Sequence, residues 1–150
     1  MDPTVVLFLR TSLLWLVAGV TLGLGMAVSP ALVVYRAAHI HMLLLGFVTG
    51  MIFGVGYHVF PRFAARPLAS PRLVRLHWWL ANAGVAAMAV AFALRAAAVP
   101  WSPVLLGAGG TSAAVGAYLF AWNVWRTLSR PAPRELVAGA RRVPLPTVQS

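Results

Sequence analysis

The chain has 150 residues, of which 61% are hydrophobic and only 9% are charged. Soluble domains are about one quarter charged and under half apolar, so this composition indicates an integral membrane protein. There is no cysteine, and the two acids, Asp2 and Glu135, lie outside the apolar segments. Disulfides, thiolate metal sites and carboxylate acid–base chemistry inside the membrane are thereby excluded. The net charge of +10 comes from arginines that flank apolar segments, so it predicts membrane topology and no nucleic-acid binding.

Four apolar segments are long enough to cross the hydrocarbon core of a bilayer, which requires about 20 residues. Proline follows each segment, and proline ends helices because it lacks an N–H donor and clashes with the preceding turn. The short connections predict an all-α, up-down bundle of four membrane helices over residues 1–130, followed by a flexible cytoplasmic tail over 131–150. The predicted helices cover roughly residues 4–28, 31–60, 73–99 and 102–128.

Arginine is unevenly distributed over the connections, and this asymmetry predicts the orientation of the helices. The second connection and the C-terminal tail are rich in arginine, whereas the first and third connections contain one each, Arg36 and Arg95. By the positive-inside rule, both termini and the second connection are cytoplasmic. We therefore expect a multi-pass protein of the bacterial or archaeal type of inner (cytoplasmic) membrane.

Three of the four histidines, His39, His41 and His58, lie in the second segment. An ionisable residue inside a membrane span is unfavourable and is therefore a candidate for a functional site. His41 and His58 are 17 residues apart, about 25 Å along a helix, so they define two separate levels. His77 begins the third segment at the level of His58. These two histidines form a candidate second site, unless they belong to an interfacial belt with the neighbouring aromatic residues.

His39 is the first candidate ligand at the outer level. In a regular helix His39 shares one face with Gly46, Gly50 and Gly54, whereas His41 lies about 200° around the helix. A flat ligand held by His39 would find a smooth surface over these glycines. The alternative is helix–helix packing alone, with His39 neutral and hydrogen-bonded across helices. We expect His39 to face the bundle interior and His41 to face lipid, headgroups or another protomer.

Haem fits these side chains better than other centres, because its iron needs only one or two axial ligands and an apolar slot. Zinc would require three or four converging ligands, which neither level supplies. Arg36 precedes His39 by one turn and either pairs with an anionic group such as a haem propionate or snorkels to the interface. The candidates for a second ligand are His41 or His39 from a second protomer, Met88 and Met26, and the alternative is an open position without a second ligand. Copper is an alternative if His41 and methionines cluster across protomers.

The second segment contains three stretches that form a recognisable pattern: Arg36-Ala37-Ala38-His39-Ile40-His41, Gly46-Phe47 and Tyr57-His58-Val59-Phe60-Pro61-Arg62. This pattern resembles the second transmembrane helix of the haem–copper oxidase superfamily. The similarity is to the large subunits of nitric oxide reductases and C-family oxidases, in which an Arg-x-x-His-Thr-Asn motif supplies an axial ligand of the low-spin haem b. The resemblance implies that His39 is this ligand and that Tyr57 and His58 match a Tyr-Tyr pair at the inner end. Small four-helix proteins described as oxidase subunit I-like share the pattern.

The sequence departs from that motif at His41, which replaces the asparagine, and it lacks the later helices that carry the remaining haem and active-site ligands. The resemblance therefore implies haem b binding rather than reduction of oxygen or nitric oxide, and no catalytic residue or complete enzyme is expected. We expect a small b-type haem protein with an electron-transfer or redox- or gas-linked role beside a respiratory complex. It would contact lipid and be a homo-oligomer or a subunit of that complex. The alternatives are a non-catalytic accessory or assembly subunit without a cofactor, and haem or copper delivery.

Overall fold

The computed structural model describes residues 3–129 and contains, in that range, four long helices and no strand. Each helix is long and apolar enough to cross a membrane, which confirms the predicted all-α membrane fold. The predicted tail over 131–150 lies outside the described residues. Helix α1 spans Pro3–Val28, α2 spans Pro30–Phe63, α3 spans Pro71–Ala96 and α4 spans Ser102–Leu128.

The end of α2 differs from the sequence-based expectation. Pro61 was expected to end this helix, but α2 continues through Pro61 to Phe63. The helix ends instead where Ala65 adopts a left-handed conformation with φ 49°, and the Arg66 N–H donates to the Pro61 carbonyl at 2.9 Å. Ala98, with φ 57°, closes α3 in the same way. A turn of this type supplies hydrogen-bond donors to the last carbonyl groups of a helix. This turn, and not Pro61, therefore sets the end of α2.

Helix α2 is not uniform along its length. It begins as a 3-10 helix over Pro30–Tyr35, becomes α-helical over Arg36–His41, widens to a π-helix over Met42–Thr49 and is α-helical again over Gly50–Phe63. The sequence predicts a regular α-helix here, because apolar periodicity carries no signal for the wider turn. Single π-helical turns are rare and concentrate at functional sites. This one begins directly after the second of the two outer histidines.

Helices α1 and α2 pack antiparallel through glycines, and we call this contact the glycine seam. A Cβ atom placed on Gly46 would lie 2.5 Å from Cγ of Trp15, closer than real Cβ atoms approach other atoms. Small residues of this kind let the backbones of membrane helices approach closely. Close packing is needed because lipid tails are as apolar as side chains, so the hydrophobic effect does not hold the helices together. Three pairs form the seam: Gly46 with Trp15, Gly50 with Ser12, and Gly54 with Phe8.

Helices α3 and α4 also approach closely at small residues. A Cβ atom on Gly84 would lie 2.7 Å from the backbone nitrogen of Ala113, and one on Gly109 would lie 2.9 Å from the carbonyl oxygen of Gly84. A side chain larger than hydrogen at either glycine therefore meets backbone, which cannot rotate away as a side chain can. The α3–α4 pair is accordingly held at backbone contact distance.

The loop between α2 and α3 is fastened to the end of α4 by polar contacts, which we call the loop latch. The fully buried Asn123 side chain accepts a hydrogen bond from the Ser70 N–H at 3.0 Å and donates one to the Ser70 carbonyl at 2.9 Å. The Arg66 guanidinium donates to the carbonyl of Leu128. Each polar group of the Asn123 amide thus has a partner, as buried polar groups require.

Consecutive helices are antiparallel, so the start of α1, the end of α2, the start of α3 and the end of α4 meet at one end of the bundle. We call this end the arginine-rich end, and Arg36 and Arg95 lie at the opposite end. The separation is the one that the positive-inside rule associates with a cytoplasmic and an external side. The cytoplasmic assignment itself stays a prediction. The arginines described in this half of the bundle are Arg62, Arg66, Arg72, Arg75 and Arg126 at the end itself, and Arg10 two turns into α1.

The glycine seam makes a stability prediction. We expect Gly46→Ala to lower the free energy of unfolding by about 1–3 kcal/mol, because the added methyl group overlaps the base of the Trp15 side chain. Gly107→Ala is the matched control, since a Cβ atom there meets nothing within 4 Å. Thermal unfolding in detergent, followed by circular dichroism, measures both variants. Equal unfolding temperatures would show that α1 and α2 do not depend on close approach at this position.

Candidate functional site

The His39 side chain extends from α2 and packs against α1, in the half of the bundle opposite the arginine-rich end. Its Nδ1 atom lies 2.8 Å from the carbonyl oxygen of Gly19. A carbonyl only accepts hydrogen bonds, so Nδ1 carries the proton and donates it, and a neutral ring then keeps its lone pair on Nε2. Within residues 3–129 no hydrogen bond reaches Nε2, and the side chain is only half-buried. His39 therefore presents an oriented basic nitrogen, the form in which histidine binds iron.

Two glycines of α1 make room for the His39 ring. A Cβ atom on Gly23 would lie 2.7 Å from Cε1 of His39 and 3.2 Å from its Nδ1 atom. Gly19, one turn away, supplies the carbonyl that orients the ring and is itself buried. The position of the imidazole is thus determined by the backbone of α1, and any side chain at position 23 would push the ring out of place.

The predicted glycine face does lie on the side of His39, because both contact α1. The glycine seam, however, fills this face with side chains of α1: Trp15 covers Gly46 and Ser12 covers Gly50. These glycines contact a helix rather than an open slot in this arrangement. Their role beside a flat cofactor stays a prediction, and it would require the Trp15 ring to move aside.

The sequence led us to expect that His41 faces lipid, headgroups or another protomer. Its ring instead packs against α3. Its ring contacts Phe92 of α3 with centroids 4.9 Å apart, and its Nδ1 donates to the Ala37 carbonyl at 2.8 Å. Because α2 lies between α1 and α3, a residue about 200° around from His39 meets another helix. The Nε2 atom of His41 keeps its lone pair for the same reason as in His39. Ala37 and Phe92 also line a cleft of about 410 Å³ that Arg95 borders.

His77 lies in the core of the bundle, whereas its predicted level near the headgroups concerns membrane depth and stays a prediction. It is fully buried, and its Nδ1 atom lies 3.0 Å from Oη of Tyr57. Its Nε2 atom is buried without a hydrogen-bond partner among the described residues. Three phenyl rings surround the imidazole at centroid distances of 4.4–5.9 Å: Phe8, Phe53 and Phe120.

His58 does not join His77. The Arg62 guanidinium donates to Nδ1 of His58 at 2.8 Å and to the His58 carbonyl at 2.6 Å. Within residues 3–129 no hydrogen bond or ring contact connects His58 to His77. Neighbouring residues are about 100° apart on a helix, and it is Tyr57 that points to the core. A shared second site of His58 and His77 stays a prediction. The hydrogen bond between Tyr57 and His77 was not predicted from the sequence, although both residues lie in predicted membrane segments.

Met88 and Arg36 are the remaining predicted site residues. Met88 is buried on α3 and lines an apolar cleft of about 240 Å³ between α2 and α4, whereas His39 faces α1. The Arg36 side chain is exposed one turn before His39. No group of three or more histidine, cysteine or acidic side chains converges within the described part of the chain. The structure thus brings together His39 and the two glycines of α1.

The Tyr57–His77 pair makes a second stability prediction. We expect Tyr57→Phe to lower the free energy of unfolding by about 1–3 kcal/mol, because the buried Nδ1 atom of His77 loses its partner. Tyr118→Phe is the matched control, since Tyr118 is 72% exposed. Thermal unfolding in detergent compares the two single-hydroxyl deletions. If both shift the transition equally, the hydrogen bond to His77 does not contribute to stability.

Comparison with known proteins identifies the family of the chain. No curated protein matches the chain. A family model described as cytochrome c and quinol oxidase polypeptide I matches residues 4–149, nearly the whole sequence. The match confirms the similarity to the haem–copper oxidases that the motifs of the second helix indicate. The chain therefore belongs to the cytochrome c and quinol oxidase polypeptide I family.

Proposed function

We propose that this protein binds a b-type haem through His39 and serves electron transfer, or a redox- or gas-linked role, beside a respiratory complex. The observation that carries the proposal is the state of the His39 ring. Its Nδ1–H is held by the Gly19 carbonyl at 2.8 Å, which leaves Nε2 as the basic atom. Members of the family typically bind haem and copper and are subunits of respiratory oxidase complexes, which supports an iron ligand at this position.

The residues around His39 fit an axial ligand. A carbonyl partner on Nδ1 fixes the orientation of a ligating histidine and raises the basicity of the other nitrogen. The exposed Arg36 guanidinium, one turn away, supplies a cation for a propionate group. A haem bound there would supply one-electron redox chemistry. The chain itself would hold the iron through His39, orient the ring through Gly19, and keep water away with the apolar side chains of α1 and α2.

His41 is a second candidate ligand, and a specific observation supports it. Its Nε2 atom is prepared by the same kind of carbonyl contact, on the side of α2 that faces α3. The cleft beside it has Arg95 at its edge. His39 and His41 lie on opposite sides of α2, so they do not ligate one iron within a single chain. A centre with two histidine ligands would therefore require a second copy, which agrees with a homo-oligomer.

The main alternative is an accessory or assembly subunit without its own cofactor, or a protein that delivers haem or copper to such a complex. The filled glycine seam supports the first alternative, because the face that would carry a macrocycle is occupied by α1. The arginine distribution supports an orientation with the arginine-rich end in the cytoplasm, and with it a place in a bacterial or archaeal type of cytoplasmic membrane. Binding of haem separates the proposed haem protein from the accessory subunit without a cofactor, whereas a delivery protein differs from the first in holding its ligand loosely.

The optical spectrum of the protein purified in detergent and supplied with haem tests the proposal. We expect a Soret band and sharp α and β bands on reduction, and we expect His39→Ala to remove them. His58→Ala is the control, because His58 pairs with Arg62 at the other end of the helix. Carbon monoxide binding to the reduced form would show an open coordination position on the iron.

The outcomes distinguish the candidates. Loss of the bands in His41→Ala, with His39→Ala unchanged, would move the haem to the cleft between α2 and α3. A colourless wild-type protein that is folded by circular dichroism would exclude haem binding and favour the accessory subunit. A spectrum that both single variants retain would contradict ligation by either histidine.

A further inference from the structure

The end of α4 carries an aromatic groove that the described chain leaves open. The groove has a volume of about 370 Å³ and is lined by Tyr118, Ala121, Trp122 and Trp125. We infer that this groove, together with Arg126, binds one anionic phospholipid at the arginine-rich end. The acyl chain lies along the aromatic rings, and the phosphate group meets the guanidinium.

The aromatic residues form one continuous face of the helix. Tyr118, Trp122 and Trp125 follow the spacing i, i+4 and i+7, which places them on one side of an α-helix. They are 72%, 56% and 70% exposed, so their rings face outward from the bundle. Seven residues rise about 10 Å along the helix, about one third of the thickness of a hydrocarbon core. The aromatic face therefore extends from the last turn of α4 toward the middle of the membrane. The groove thus runs in the direction of an acyl chain.

The charge at the end of this groove has no acidic partner within the described chain. The Arg126 guanidinium lies 5.9 Å from the ring centroid of Trp122, over the same face as the groove. Residues 3–129 contain no aspartate or glutamate. The carbonyl of Leu128 at the helix end already accepts a hydrogen bond from Arg66. A phosphate oxygen of the membrane surface is therefore the anion that Arg126 is placed to meet.

An anionic lipid fits this groove better than a second copy of the chain. Apolar surface gives no preference for a protein neighbour over lipid, and helix interfaces in membranes form where residues are small. This face carries large aromatic side chains instead, which are typical of the boundary between headgroups and hydrocarbon. A second copy would also bring a second Arg126 to the same groove, and like charges would oppose that contact.

Lipid retention measured by native mass spectrometry tests the inference. The protein in detergent is mixed with phosphatidylglycerol or with phosphatidylcholine, and the fraction that retains one lipid is compared. We expect preferential retention of phosphatidylglycerol. We expect Arg126→Gln to reduce it about fivefold, since one arginine near the surface contributes about 1 kcal/mol to binding of an anionic lipid. We expect Trp122→Leu to weaken retention of both lipids, and Arg126→Lys to restore the preference.

Matched controls lie at the opposite end of the bundle. Arg95→Gln removes the same charge and Trp101→Leu removes a ring that is 56% exposed, and neither should change retention. Equal retention of the two lipids by the wild type would overturn the inference, as would an unchanged preference in Arg126→Gln. Dimers that persist without lipid and are lost in Trp122→Leu would assign the groove to a second copy instead. Inorganic phosphate that displaces the lipid at millimolar concentration would show a site for free phosphate.

Discussion

Close approach of α1 and α2 is the constraint on which the rest of this bundle depends. Lipid offers no preference for a neighbouring helix over an acyl chain, so contact must come from small residues that receive large ones. Gly46 receives Trp15 from α1, and Gly23 of α1 receives His39 from α2. At the first position α2 provides the glycine and α1 the large side chain, and at the second position α1 provides the glycine and α2 the large side chain. The orientation of His39 is therefore a property of the fold, and it would be lost if the helices separated.

The four histidines occupy four different environments, and the differences determine what each can do. His39 and His41 donate to backbone carbonyls and keep a lone pair on Nε2. His77 shares a hydrogen bond with Tyr57 and is enclosed by phenyl rings. His58 accepts from an arginine at the arginine-rich end. Only the first two combine a prepared nitrogen with partial exposure, which is why the proposed haem ligation is assigned to this short stretch of α2.

Much of this fold was predictable from the sequence because hydrophobic length and proline position are local signals. The four spans follow from them, and so does their antiparallel order. The end of α2 did not follow, because a left-handed alanine at position 65 closes the helix and alanine carries no mark of that role. His41 was placed wrongly because helical periodicity gives angles around α2 but not which neighbours surround it. The burial of His77 was not predicted, because periodicity does not show which rings of α1, α2 and α4 surround it.

The loop latch has a consequence for the order of assembly in the membrane. The carbonyl and N–H of Ser70 find their partners on Asn123, and Arg66 finds the carbonyl of Leu128, more than fifty residues later in the chain. During synthesis the first three helices can enter the membrane before these partners exist. The connection between α2 and α3 then stays in contact with water or headgroups until the last helix arrives. Insertion of α4 is thus the step at which the connection between α2 and α3 gains these hydrogen-bond partners.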